Sequence, residues 1–254
     1  MTANIIIMNQ SAGLLHSRPK RNKSDNLFRQ RKELVENYIK SAGVTDKRVL
    51  KAFLKTPRHE FVPIKYRIAA YLDVPLPIGE GQTITQPSLV AIMTQALELK
   101  GNEKVLEIGT GSGFQAAILS KLAKDVYTVE IIGKLAKKAR KTLERLAIKN
   151  VHLEVANGSL GLENYAPYDA IIVTAAANMI PKPLIKQLKC GGRIVIPVGD
   201  TLYGQELKVG KKVGKTIKFI NIEPVMFVPL HGKFGFQEKF DKLYGGQKFG
   251  TLSL

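Results

Sequence analysis

The chain has 254 residues, 44% of them hydrophobic, which is enough for one α/β domain with a sizeable core. No segment approaches the roughly 18 apolar residues of a membrane span, and the single cysteine, Cys190, excludes an internal disulfide and favours a reducing, cytoplasmic location. The net charge of +18 raises the question of nucleic acid, but no aromatic residues interleave with the lysines, so we interpret the charge mainly as solvated faces.

The first part of the chain predicts a basic arm followed by a helical cap. Residues 1–26 are polar and basic without sustained periodicity, so we expect them to be mostly disordered. Apolar positions recur at helical spacing over 27–41 and 45–57, and a proline-bracketed link follows. We therefore expect a helical cap over 27–78, placed before the main sheet.

The next part, 79–230, predicts the core of a single domain. Strand and helix patterns alternate, which predicts a doubly wound parallel sheet with right-handed crossovers. We expect strands at 104–108, 126–130, 151–155, 169–174 and 193–197, and helices at 87–97, 114–123, 134–147 and 181–189. Beyond these, a period of two predicts antiparallel strands at 206–209, 216–222 and 225–230, and the glycine-rich segment 231–254 is expected to be a loose tail.

The most informative motif is Glu-x-Gly-x-Gly-x-Gly over 107–113, between the first predicted strand and its helix. Such a turn lets the main chain approach a nucleotide-like ligand closely, and its N–H groups and helix start favour a carboxylate. The dinucleotide fingerprint is Gly-x-Gly-x-x-Gly, so this spacing fits S-adenosylmethionine better than NAD. A merely structural turn is the alternative at this point.

Two further strand ends carry groups that suit a nucleoside. Glu130 ends the second strand about twenty residues beyond the first glycine, where an acid can accept hydrogen bonds from both ribose hydroxyls. Asn157 and Gly158 follow the third strand, where an amide can meet an adenine edge. A solvated glutamate and a plain turn are the ordinary interpretations, but three suitable strand ends together predict a nucleoside cofactor site.

The fourth strand indicates the acceptor. It ends in Thr-Ala-Ala-Ala over 174–177, without the polar-Pro-Pro-aromatic tetrapeptide of enzymes that methylate exocyclic amines. No dedicated general base is evident, and no two histidines have metal-ligand spacing, so no metal is expected. A carboxylate acceptor needs no base, because a carboxyl group with a pKa of about 4 is ionised at neutral pH. Segment 79–87 is the expected clamp, unless Thr85 is only a helix N-cap.

These segments together resemble the protein-L-isoaspartate O-methyltransferases over roughly 34–230. The resemblance rests on Pro-Arg-His-Glu-Phe-Val-Pro at 57–63, Gly-Gln-Thr-Ile-Thr-Gln-Pro at 81–87, the glycine loop, and the motifs at 166–176 and 191–199. It implies a Rossmann-like class I S-adenosylmethionine-dependent methyltransferase sheet with the N-terminal cap and a C-terminal antiparallel hairpin. It also implies methyl transfer to the α-carboxylate of L-isoaspartyl residues, with S-adenosyl-L-homocysteine as product and repair through a succinimide.

The resemblance also implies the site residues. Thr85 would be the catalytic residue, and the substrate would be bound by Gln82, Thr83, Ile84 and Thr85. The cofactor-binding set would be Glu107, Gly109, Thr110, Gly111, Ser112, Gly113, Glu130, Asn157, Gly158 and Thr174. Two positions depart from the family: Thr85 replaces a serine, which crowds the pocket, and Asn157 replaces an aspartate, which predicts weaker cofactor binding.

The expected partners are isoaspartyl-containing proteins and peptides, and we expect a monomer without membrane or nucleic-acid partners. Two alternatives stay open from the residues. A nucleic-acid methyltransferase is favoured by the charge and disfavoured by the fourth strand. A cofactor-binding protein without transfer activity is the other.

Overall fold

A seven-stranded mixed sheet forms the centre of the fold, and a two-stranded hairpin lies beside it. The structure is a computed structural model, which describes residues 23–200 and 203–236. The hairpin is formed by β1 (Leu76–Gly79) and β2 (Gln82–Ile84). The strands of the sheet are β3 (Lys104–Ile108), β4 (Asp125–Glu130), β5 (Val151–Val155), β6 (Tyr168–Val173), β7 (Leu188–Asp200), β8 (Gly204–Val213) and β9 (Thr216–Val225).

The helices of the described residues divide between the cap and the faces of the sheet. They are α1 (Lys23–Leu34), α2 (Lys47–Lys55), α3 (Pro87–Ala96), α4 (Phe114–Leu119), α5 (Gly133–Arg145) and α6 (Lys182–Gln187). A π-helical turn, Val35–Ile39, continues α1. None of these helices is long and apolar enough to cross a membrane.

The sheet confirms the predicted fold class. Its order is β5-β4-β3-β6-β7-β8-β9, in which the first five strands are parallel and the last two are antiparallel additions. The chain reverses its direction of winding between β3 and β6, which makes the carboxyl ends of these two strands the switch point where such sheets bind ligands. The central strands β3 and β6 are buried on both faces, as expected for parallel strands covered by helices.

The predicted strand over 225–230 is wrong. Strand β9 ends at Val225, and two residues further on the main chain of Phe227 bonds to the side chain of Gln205. Its amide accepts from Phe227 N at 2.6 Å and donates to Phe227 O at 3.0 Å. The chain then turns towards the end of β6, where Leu230 N donates to Ala176 O at 2.7 Å.

The described structure extends beyond both ends of the domain predicted over 27–230. Helix α1 begins at Lys23, inside the predicted arm 1–26, and 1–22 lie outside the described residues. The acidic Asp25 in its first turn complements the helix dipole. Residues 231–236 of the predicted tail fold back on the core, since Phe234 N donates to Ser159 Oγ at 3.0 Å. The remaining tail, 237–254, lies outside the described residues.

An aromatic contact joins the cap to the core. Phe114 in α4 receives the edges of Phe53 and Phe61, with ring centroids 5.9 and 5.6 Å away. The guanidinium of the buried Arg58 lies 4.9 Å from the centroid of the same ring. Because Phe114 also lines the cleft described below, the packing of the cap fixes one wall of that cleft.

We expect Phe53→Ala to lower the free energy of unfolding by about 3–5 kcal/mol, because it leaves a cavity against Phe114. The matched control is Phe28→Ala, which removes a ring that is 54% exposed and should cost less than about 0.5 kcal/mol. Urea unfolding of both variants measures these changes. An equal loss of unfolding free energy in the two variants would contradict the role of the Phe53–Phe114 contact in joining the cap to the core.

Candidate active site

The main cleft lies at the carboxyl ends of β3, β4 and β6 and is covered by the β1–β2 hairpin. It is open to solvent at its mouth, as a site that admits a small molecule or cofactor must be. Its lining brings together most of the predicted site residues: Gln82, Thr83, Ile84, Thr85, Gly109, Thr110, Gly111, Ser112, Glu130, Gly158 and Thr174. Glu107, Gly113 and Asn157 are absent from this lining.

The glycine loop follows β3 with three glycines at positive φ. The φ angles are 94° at Gly109, 52° at Gly111 and 87° at Gly113, a region that side chains rarely adopt. A Cβ on Gly109 would lie 2.5 Å from Thr174 Oγ1, and a Cβ on Gly113 would lie 3.3 Å from Ala139 in α5. The first glycine therefore allows contact with β6, and the third allows α4 and α5 to pack closely.

The amides of this loop are largely bonded within the protein. Gly109 N and Thr110 N donate to Val129 O, Gly113 N donates to Thr110 O, and Gly111 N donates to Glu130 Oε2. These four amides therefore already have partners within the protein, and the predicted binding of a carboxylate by the loop stays a prediction. What the loop offers to the cleft is a surface of bare backbone.

Thr174 joins the end of β6 to the glycine loop. Its hydroxyl lies 3.0 Å from Ile108 O and 2.6 Å from Gly109 O and donates to these carbonyls. The backbone N–H of Thr174 also donates to Ile108 O, at 2.9 Å, so this residue ties the end of β6 to the end of β3. The threonine lines the cleft while its hydroxyl holds the switch point together.

Glu130 is a cleft residue whose carboxylate is held by backbone amides. Oε2 accepts from Gly111 N at 2.7 Å and Oε1 accepts from Ile132 N at 2.9 Å. Burial raises the pKa of Glu130, and these amide hydrogen bonds oppose the rise. Each oxygen retains a further lone pair, so the carboxylate can still accept hydrogen bonds from a ligand in the cleft.

Glu107 lies behind the loop and is fully buried. Its Oε2 accepts from Thr128 Oγ1 at 2.6 Å, and Thr128 Oγ1 lies 2.6 Å from Thr110 Oγ1. Burial raises the pKa of Glu107 to about 8, so the carboxyl is mainly protonated at neutral pH. The structure thus places Glu107 in a hydrogen-bonded chain that supports Thr110, away from the surface of the cleft.

Asn157 and Gly158 are neighbours in the sequence, but only Gly158 lines the cleft. Asn157 Oδ1 accepts from Ser159 N at 3.1 Å and from Ser159 Oγ at 2.8 Å, which caps the turn Gly158–Leu160. Gly158 lines the cleft, and a Cβ there would lie 2.6 Å from Ile108 Cγ2. The glycine is thus required for close packing, while the predicted adenine acceptor is already used by Ser159.

A second, smaller groove adjoins the cleft. Thr83, Thr85 and Thr174 line both cavities. Helix α3 has Gln86 as its N-cap, so Thr85 does not cap it and the simple N-cap interpretation of Thr85 is wrong. Thr85 therefore lies where the two cavities meet.

Several residues that line the cleft were not predicted from the sequence. Ile131 and Ile132 follow Glu130, and Phe114 and Gln115 start α4. Another stretch is 228–231, whose His231 has a pKa lowered by burial. Ile131 and Ile132 could have been predicted, because an apolar pair directly follows the acid at the end of a strand. Residues 228–231 could not, because their sequence pattern resembles that of a strand.

The chain is similar to proteins of one family. The family model described as Protein-L-isoaspartate(D-aspartate) O-methyltransferase matches residues 29–235. A protein-L-isoaspartate O-methyltransferase of Geobacter metallireducens is 52% identical over 205 residues, which cover 81% of this chain and 95% of that protein. The protein of the same name from Dictyoglomus turgidum is 51% identical over 209 residues, which cover 82% of this chain and 94% of that protein.

Solved structures agree with these relatives. One protein-L-isoaspartate O-methyltransferase has a TM-score of 0.73 and 32% identity, covering 81% of this chain and 67% of its own. A Plasmodium falciparum protein-L-isoaspartate O-methyltransferase, solved in complex with S-adenosyl-L-homocysteine, has a TM-score of 0.70 and 26% identity. That likeness covers 79% of this chain and 98% of the other.

The protonation of Glu107 predicts a pH dependence of stability. The folded chain keeps a proton on this carboxyl between its ordinary pKa of 4.5 and about 8, whereas the unfolded chain loses it. The stability that this proton gives is fully present below the lower value and is lost as pH rises through about 8. Glu107→Gln removes the titration, so the parent should lose stability relative to the variant by up to about 1.4 kcal/mol per pH unit.

Urea unfolding of parent and Glu107→Gln from about pH 6 to about pH 9 measures this difference. Parallel stability profiles would show that the carboxyl is already ionised in the folded chain.

Proposed function

The chain belongs to the protein-L-isoaspartate(D-aspartate) O-methyltransferase family, and from this premise we propose how its own residues carry out the reaction. It is an S-adenosylmethionine-dependent enzyme that methylates the α-carboxylate of L-isoaspartyl residues in damaged proteins and peptides. The predicted family, activity and cofactor are confirmed. The roles of individual residues are proposals.

We propose that the main cleft holds the cofactor. The chemistry of the lining fits it, because Glu130 presents a backbone-anchored carboxylate for a ribose diol and Ile131 and Ile132 present apolar surface for a base. When bound, the cofactor supplies a methyl group on a positively charged sulfur. Gly111 and Gly158 leave the backbone bare along this wall, so the ligand can approach it closely.

The observation that carries the acceptor assignment is the position of Thr85 between the two cavities. An isoaspartyl carboxylate entering through the second groove would meet the Thr85 hydroxyl at the boundary of the cofactor cleft. The hydroxyl can donate a hydrogen bond to one carboxylate oxygen, which leaves the other free to attack. Because the carboxylate is already ionised, the protein has to align it and exclude water, and it needs no base.

The decisive experiment uses one short peptide made twice, with L-isoaspartate and with normal L-aspartate. We expect base-labile labelled methyl from S-adenosylmethionine on the isoaspartyl form alone. Labelling of nucleic acid in its place would support the alternative drawn from the charge. Cofactor binding without transfer to any acceptor would support a binding protein.

The acceptor role predicts that Thr85→Val lowers kcat/KM for the isoaspartyl peptide by roughly 10- to 100-fold, the usual effect of losing a hydrogen bond to a charged group. Cofactor affinity, measured by calorimetry, should stay near the parent value. Thr85→Ser should restore transfer, and Thr142→Val, outside both cavities, is the control. A Thr85→Val enzyme with parental kcat/KM would remove Thr85 from the acceptor site.

The ribose role predicts the opposite pattern for Glu130→Ala. Cofactor affinity should fall by roughly 10- to 100-fold, since the variant loses a charged acceptor. Glu154→Ala on the exposed face of β5 is the control for the loss of one carboxylate. Unchanged calorimetric affinity in Glu130→Ala would exclude the ribose assignment.

We further propose that the monomer is the active unit, because both cavities are lined by residues of one chain. The predicted absence of a nucleic-acid partner and the cytoplasmic location stay predictions, the latter resting on the single cysteine.

A further inference from the structure

The mouth of the acceptor groove carries an exposed methionine. Met226 lines this groove and is 90% exposed, while its neighbour Phe227 is buried. Pro75 also lines the groove and is exposed, and Val74, which precedes it, is 40% exposed. Exposed apolar side chains therefore belong to a groove that is also lined by Thr83 and Thr85.

The backbone that bears Met226 is firmly held. Both main-chain polar groups of Phe227 bond to the buried amide of Gln205, at 2.6 and 3.0 Å. Further along, Ala176 N donates to Val228 O at 2.8 Å, so the segment is tied to the end of β6. A hydrogen-bonded main chain thus presents a side chain that is almost fully exposed.

A large apolar side chain at this position needs an explanation, because water solvates it less favourably than it would a polar side chain. Ile220 in β9 is exposed as well, but it lies outside both cavities. Met226 differs because its exposed surface continues directly into the groove that meets Thr85. Single exposed apolar residues are common, whereas one at the entrance of a binding groove gains contacts when the groove is filled.

We propose that Met226, with Pro75 and Val74, forms a subsite for an apolar side chain next to the isoaspartyl residue. This inference rests on the proposed acceptor role of the groove. The methionine side chain is unbranched and polarizable, so it adapts to partners of different shape. The enzyme would then prefer isoaspartyl sites flanked by apolar residues, which are the sites that unfolding of a damaged protein exposes.

The test uses four isoaspartyl peptides that differ only in the neighbouring residues, with Leu or Ser before the isoaspartate and Leu or Ser after it. The parent enzyme should prefer Leu over Ser on one side by about fivefold in kcat/KM, mainly through KM, as expected for partial burial of one side chain. In Met226→Gln the preference for Leu over Ser should fall to less than about twofold.

Ile220→Gln is the matched control, because it makes the same kind of change at an exposed site outside the groove, and it should keep the parental preference. An unchanged urea midpoint establishes that Met226→Gln is folded. If the peptide with two serines is methylated but Leu gives no advantage, or if Met226→Gln keeps the advantage, this inference is wrong and the proposed function stands. If no peptide is methylated, the proposed function fails and the subsite fails with it.

Discussion

The contact between Thr174 and the start of the glycine loop is the constraint on which the site depends. The hydroxyl bonds the carbonyls of Ile108 and Gly109, and its oxygen occupies the space that a side chain on Gly109 would need. The two strands that diverge at the switch point are thereby fixed to each other at their carboxyl ends. Thr174 lines both the main cleft and the second groove, so this contact also fixes part of the wall that the two cavities share.

Two carboxyl groups close to this contact have different environments. Glu130 is held by the amides of Gly111 and Ile132, which favour its charged form. Glu107 has only a hydroxyl partner, from Thr128, so burial raises its pKa to about 8. Burial raises the pKa of both groups, but backbone amides oppose the rise at Glu130, whereas a hydroxyl opposes it at Glu107. The neutral Glu107 carboxyl supports the loop without a cost of charge burial.

Sequence patterns predicted the parallel sheet and the loop because hydrophobic period and glycine spacing are local properties. They also located Glu130, since a strand end defines a position in space. They could not predict the hairpin of β1 and β2, whose strands are short and contain Pro77 and Gly79. They also could not predict that Ser159 would take the oxygen of Asn157, because hydrogen-bond partners depend on packing between segments.

The acceptor side illustrates why such an enzyme can be both selective and broad. The chemistry needs one carboxylate held against a methyl donor, and this demand falls on the inner end of the groove, where Thr85 lies between the cavities. Damaged sites occur in many sequences, so the outer end has to accept different neighbours. A main chain held by Gln205, with the exposed Met226 on it, would meet both demands under the proposed subsite. Rigidity is placed where the reacting atoms must align, and adaptability where the substrate varies.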